Sequence, residues 1–226
     1  MNLNFKINED YLATHTLASM DESKFSSKTF KRDIVNFQNY AWRESPVLYN
    51  FIIGKSNAEI ALNYDLNIIG SKVNKFLSSL KKSREFQKIL SQTREYSLTC
   101  SRQWKNNLNK TSKIINDITG LKLSKKFNVY LTHPSLKNGK YIAKNSIAWG
   151  HHENYKNYTT IYLWHEILHS YFDLNDLNHA IIQLVTDNEL RLKLNGTKYP
   201  PFEGHKDLQN LMSKIVPYWR KYLTTK

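Results

Sequence analysis

Residues 161–172 read Ile161-Tyr162-Leu163-Trp164-His165-Glu166-Ile167-Leu168-His169-Ser170-Tyr171-Phe172. The stretch holds no Pro or Gly, and its apolar residues (Ile161, Leu163, Trp164, Ile167, Leu168, Tyr171 and Phe172) surround three ionisable ones. Such a pattern predicts a mostly buried helix. Polar groups on a buried helix need partners. His165 and His169 are four apart, so they lie roughly 40° apart around a helix axis and about one turn apart along it. Both imidazoles can therefore face one ion. Glu166 projects from the adjoining surface, within reach of a water on that ion. Zn²⁺ brings the pKa of its water toward ~7, and a neighbouring carboxylate can then act as general base.

Such a site needs a third protein ligand. The best candidate in the sequence is Glu189, in Thr186-Asp187-Asn188-Glu189-Leu190. A second helix is predicted around it. Asn175 or Asp176 caps its start, Leu177, Ala180, Ile181, Leu184, Val185 and Leu192 recur at helical spacing, and Asn195-Gly196 stops it. Glu189 follows Val185 by four and Ile181 by eight, which puts it on or near the buried stripe. A metal would offset the cost of burying its carboxylate. His179 is a rival third ligand. It precedes Glu189 by ten residues, nearly three turns, so the two are not expected on one ion.

His165-Glu166-Ile167-Leu168-His169, a connecting segment, and Asn188-Glu189 on a following helix resemble the gluzincin metallopeptidases. The likeness covers residues 163–194 and is closer to the small single-domain members. It implies a zincin-like fold, α+β and mainly helical, with a short antiparallel sheet beside the HExxH helix. It implies a zinc-dependent peptidase with His165, His169 and Glu189 as zinc ligands and Glu166 as general base. It also implies an edge strand that binds substrate backbone, assigned to Ser146, Ile147, Ala148, Trp149 and Gly150. An oxyanion donor should follow the glutamate, with Tyr199, His205, Tyr218 and Tyr222 as candidates. One feature departs from the family, and one alternative family is excluded. Lys193 stands where many members carry an Asp that orients a zinc histidine, a role left open to Asp173, Asp187 or a backbone carbonyl. The metzincin pattern HExxHxxGxxH fails at Phe172 and Asn175.

Around this segment, 226 residues suffice for one large domain or two small ones. The reading divides them into a helical part, 1–126, not necessarily independent, and a zincin-like part, 127–226. Helices are expected near 11–19, over 27–44, over 71–82 and over 83–119, the last with a kink or break. Val47–Gly54 reads as helix or strand. Strands are expected at 127–132, 141–143 and 146–149, and a final helix over 207–223 should kink or break at Pro217. A single cysteine, Cys100, rules out an internal disulfide framework and reads as core. No apolar run approaches a membrane span, and the first ten residues lack a signal-peptide core. The reading is a cytoplasmic protein. His151-His152 reads as loop, since adjacent side chains on an extended chain point apart.

Net charge is +14. A solvated lysine-rich surface is the favoured explanation, ahead of nucleic acid or another anionic surface as partner. The function expected is hydrolysis of a peptide or protein substrate. The alternative is a non-catalytic or latent zincin-fold binding module whose basic helical region contacts an anionic partner.

Overall fold

The computed structural model describes residues 1–19, 28–54, 70–143, 145–196 and 205–226. Its strands are β1 (Asn2–Lys6), β2 (Lys126–Leu131), β3 (Asn138–Ala143) and β4 (Ser146–Gly150). The helices are α1 (Glu9–Ala18), α2 (Lys28–Glu44), α3 (Pro46–Gly54), α4 (Ser71–Lys82), α5 (Arg84–Thr119), α6 (Tyr158–Leu168), α7 (Asp176–Gln183), α8 (Arg191–Asn195) and α9 (Gln209–Thr224). A π-helical segment, Leu184–Leu190, joins α7 to α8. The chain is α+β and mainly helical.

The sheet differs from the antiparallel one expected. Its order is β1-β2-β4-β3, with β1, β2 and β4 parallel and only β3 antiparallel, against β4. The cause is β1. Leu3 pairs with Phe127 and Phe5 with Val129, so the first residues of the chain supply an edge of the sheet. The five-residue Asn-Leu-Asn-Phe-Lys alternation is too short to stand out as a strand by itself.

The topology also corrects the substrate-strand assignment. Ser146–Gly150 is hydrogen-bonded on both sides, to β2 and to β3. Its backbone groups are already paired, so it cannot accept an added strand. Among the described residues, the open edge beside β4 belongs to β3.

One face of the sheet carries Leu3, Phe127, Val129, Leu131, Ile147 and Trp149, packed with Trp104, Ile115 and Ile118 of α5 and Ile161, Trp164 and Leu168 of α6. On the other face, Ala148 packs with Tyr11 of α1. A second core joins α1–α4 to Phe86, Ile89 and Leu90 of α5. Helix α5 runs unbroken for 36 residues, about 54 Å, and contributes to both cores. Ser83 caps its start by accepting from Phe86 N, and Gly120 ends it with a left-handed φ of 70°. The expected boundary at 126 therefore separates β1 and α5 in sequence from a sheet and core they help to build. Helix α9 also continues through Pro217. Cys100 is buried and unpaired.

Candidate metal centre

Helix α6 delivers the first elements of the site. His165 and Glu166 lie in its last turn, and His169 follows as its C-cap. His165 is 3% exposed and Glu166 8%. The third member comes from α7, whose start is capped by Asn175 accepting from Asn178 N. One turn on, α7 places His179 against the other two histidines. One donor atom each from His165, His169 and His179 can be chosen so that all lie within 4.8 Å of one another.

The spacing fits a metal. His165 Nε2 and His179 Nε2 are 3.2 Å apart. Zinc–imidazole bonds of ~2.0–2.1 Å in a tetrahedron place two nitrogens ~3.3–3.4 Å apart. The ring centroids are 5.0 Å apart for His165–His169, 5.2 Å for His165–His179 and 4.8 Å for His169–His179, with interplanar angles of 65°, 74° and 72°. Rings on a tetrahedral ion stand ~5 Å apart by the same geometry. Burial, with the neighbouring histidines adding to it, holds His169 down at about 3 and His179 at about 4. Both are therefore neutral at ordinary pH, the state a metal ligand requires.

Glu189 is not in this group. It is half-buried in the π-helical segment. The expectation counted α-helical periodicity from Ile181 and Val185. The wider turn of Leu184–Leu190 breaks that count and turns Asp187 toward the histidines instead. Asp187 Oδ2 lies 3.5 Å from His165 Nδ1, and Thr186 Oγ1 is also 3.5 Å from that nitrogen. Thr186 donates to Ile182 O and to Asp187 Oδ1. Asp187, 2% exposed, thus stands behind His165, leaving Nε2 toward His179. It is placed to orient the His165 ring. Burial is the largest single influence and pulls the His165 pKa down, but the charge and hydrogen bond of Asp187 together with the Glu166 carboxylate make the net shift upward. The same field favours a cation on Nε2, whether proton or metal.

Glu166 is held from the sheet. Its Oε2 accepts from Tyr141 N at 2.6 Å, at the point where the β3–β4 register slips between Tyr141 and Ala143. Glu166 thus takes a backbone donor of the edge strand. A Cβ added at Gly139 would stand 3.8 Å from Glu166 Oε1 and 3.2 Å from the Trp149 ring. Burial raises the Glu166 pKa, opposed by His165 and the Tyr141 N–H. A raised pKa suits a group that must take up a proton near neutrality.

The oxyanion candidates separate. His205 stands beside His179, ring centroids 4.9 Å apart. Tyr218 is 77% exposed and lines an apolar groove with Leu177 and Ile181, residues on the side of α7 turned away from His179. Tyr222 donates its hydroxyl to Ile118 O. Tyr199 lies outside the described residues. The sequence reading underweighted His179, although its ten-residue distance from His169 already suited a ligand on the next helix.

His151 and His152 belong elsewhere. His152 Nε2 is 3.1 Å from Ser135 Oγ, and His151 Nδ1 is 3.0 Å from His152 O. Beside them His133, 1% exposed, accepts from Ser135 N through Nδ1. Burial pushes the His133 pKa from 6.5 to about 4, with His152 adding to the effect and Asp33 opposing it. The unfolded chain therefore takes up this proton first. The stability His133 contributes is complete above pH ~6.5 and is lost as pH falls toward ~4, about 2 kcal/mol of it by pH 5. Asn at this position retains an acceptor for Ser135 N–H. Metal-free H133N should thus lose less melting temperature than metal-free wild type between pH 7.5 and 5. Parallel losses would contradict the assignment.

No protein-family model, curated protein or solved structure matches the chain. Among the described residues, no helix is long and apolar enough to cross a membrane.

Proposed function

We propose that this chain is a zinc-dependent peptidase with His165, His169 and His179 as the ligands and Glu166 as the general base. The observation that carries the reading is the convergence of three imidazoles with a buried carboxylate fixed at the open side of an edge strand. The reaction is the one implied by the gluzincin resemblance, with His179 in the place given to Glu189. A zinc ion held by three imidazoles supplies an acidified water and a Lewis acid for a carbonyl oxygen.

The chain's own groups do the rest. Tyr141 N–H fixes Glu166 Oε2, which leaves Oε1 to take a proton from the attacking water. Glu166 then returns that proton to the leaving amine nitrogen, so it ends the cycle unprotonated. Asp187 holds the His165 ring in orientation. Apart from the Tyr141 N–H held by Glu166, the edge of β3, open among the described residues, offers backbone groups to an extended peptide, which would bind as an added strand. Gly139 leaves open the space a Cβ would occupy 3.8 Å from Glu166 Oε1.

The test is metal removal and return. Protein stripped with chelator should show no cleavage of a diverse peptide library, and one equivalent of zinc should restore it. Cleavage that persists in the stripped protein would sink the reading. So would a reloaded protein, zinc bound at one equivalent, that cuts nothing across the library.

A further inference from the structure

We propose that His205 is an exchangeable fourth ligand, an imidazole that closes the remaining coordination position until substrate displaces it. The inference rests on the three-histidine reading of the site.

Geometry supplies the first argument. The His205 ring meets His179 at 4.9 Å and 63°. The three ligand pairs stand at 4.8 to 5.2 Å and 65° to 74°. His205 thus relates to His179 nearly as the three ligands relate to one another. Its donor atoms lie outside the group of three, so the ring stands against one ligand without completing the fourth corner. Rotation between staggered side-chain wells is the motion required to bring it there.

Attachment supplies the second. His205 N donates to Gln183 Oε1 at 3.3 Å. Gln183 is fully buried and closes α7, four residues after His179. The backbone of His205 is thereby tied to the helix that carries His179. His205 also begins the short 3₁₀ turn Lys206–Leu208, which fixes the exit of the chain. The side chain itself is exposed, which leaves room for it to swing away.

Chemistry supplies the third. Catalytic zinc sites keep three protein ligands and one open position, while closed sites use four. An exposed, tethered imidazole next to three others allows one site to pass between both states. Substrate carbonyl oxygen and His205 would compete for the same corner.

Cobalt(II) loaded into the full-length protein reports the donor set directly. Wild type should give the intense visible absorption of a four-nitrogen tetrahedral site. H205A should give weaker, shifted bands, and millimolar imidazole should return its spectrum to that of wild type. Zinc affinity, measured by chelator competition, should fall in H205A by at least the ~10–100-fold typical of losing an outer partner. Superimposable cobalt spectra of wild type and H205A, with no response to imidazole, would overturn the fourth-ligand role while leaving the three-histidine site intact. Failure of wild type to take up cobalt or zinc would instead remove the three-histidine reading, and the fourth ligand with it.

Discussion

Replacing Glu166 with Gln should cut peptide cleavage by ~10²–10⁴-fold while zinc remains bound at wild-type stoichiometry. The side chain keeps its shape, and the amide oxygen can still accept from Tyr141 N–H as Glu166 Oε2 does at 2.6 Å. What is lost is the capacity to take a proton and pass it on. General-base catalysis is worth ~10²–10⁴ in rate, so kcat should fall by that factor with KM little changed. Stability gives an independent check. The folded-state pKa of Glu166 is raised, with burial as the first cause. A carboxylate with a raised folded pKa weakens the fold at pH values where it is ionised, and its neutral form is preferred below. A neutral amide avoids that cost. Metal-free E166Q should therefore melt no lower than metal-free wild type at pH 7. A variant that has lost zinc, or that melts well below wild type, would show that Glu166 serves the structure and not the reaction.

His179→Ala should remove metal binding, whereas Glu189→Gln should leave it within about threefold of wild type. The two substitutions separate the arrangement seen in the structure from the one implied by the family resemblance. His179 is one of three donors that come within 4.8 Å of one another, and its Nε2 is 3.2 Å from that of His165. His165 and His169, with His205 only as an exchangeable ligand, cannot hold the ion as the full set does. The affinity loss should exceed the ~10–100-fold that follows loss of an outer-shell partner. Asp187→Asn sets that lower mark, because Asp187 would act on a bound metal only through His165, which it meets at 3.5 Å. Chelator-competition titration of the three variants should give the order His179→Ala far weakest, Asp187→Asn intermediate, Glu189→Gln close to wild type. Loss of binding in Glu189→Gln with retention in His179→Ala would restore the glutamate as ligand.

The helices were legible where an apolar stripe and a cap coincide. Ser71–Lys82 and the long helix between Ser83 and Gly120 follow from Val73, Phe76, Leu77 and Leu80, and from capping residues at both ends of α5. Helix α1 was harder to read. Tyr11, Leu12, Ala13, Thr14, Thr16 and Leu17 are all buried, so it has no polar face to contrast with an apolar one. Strand β1 was not legible, because its partner lies 124 residues away and a single short alternation carries little information. The same non-local pairing made β4 central and moved the open edge to β3.

Within the site, His165, Glu166 and His169 announce themselves by spacing on one helix. The third donor depends on how the following helix is wound. Counting at 3.6 residues per turn selected Glu189, but the π-helical turn at Leu184–Leu190 shifts every later residue around the axis. Asp187 gains the place behind His165, and the third candidate donor comes from before the distortion, at His179. Nothing in residues 184–190 signals a π turn to periodicity alone.

The most direct test of the three-imidazole centre is anomalous scattering at the zinc absorption edge from crystals of the zinc-loaded protein. One strong peak is predicted within ~2.0–2.1 Å of His165 Nε2, His179 Nε2 and a ring nitrogen of His169. A peak bound by the Glu189 carboxylate in place of His179, or no peak between the histidines of loaded protein, would contradict it.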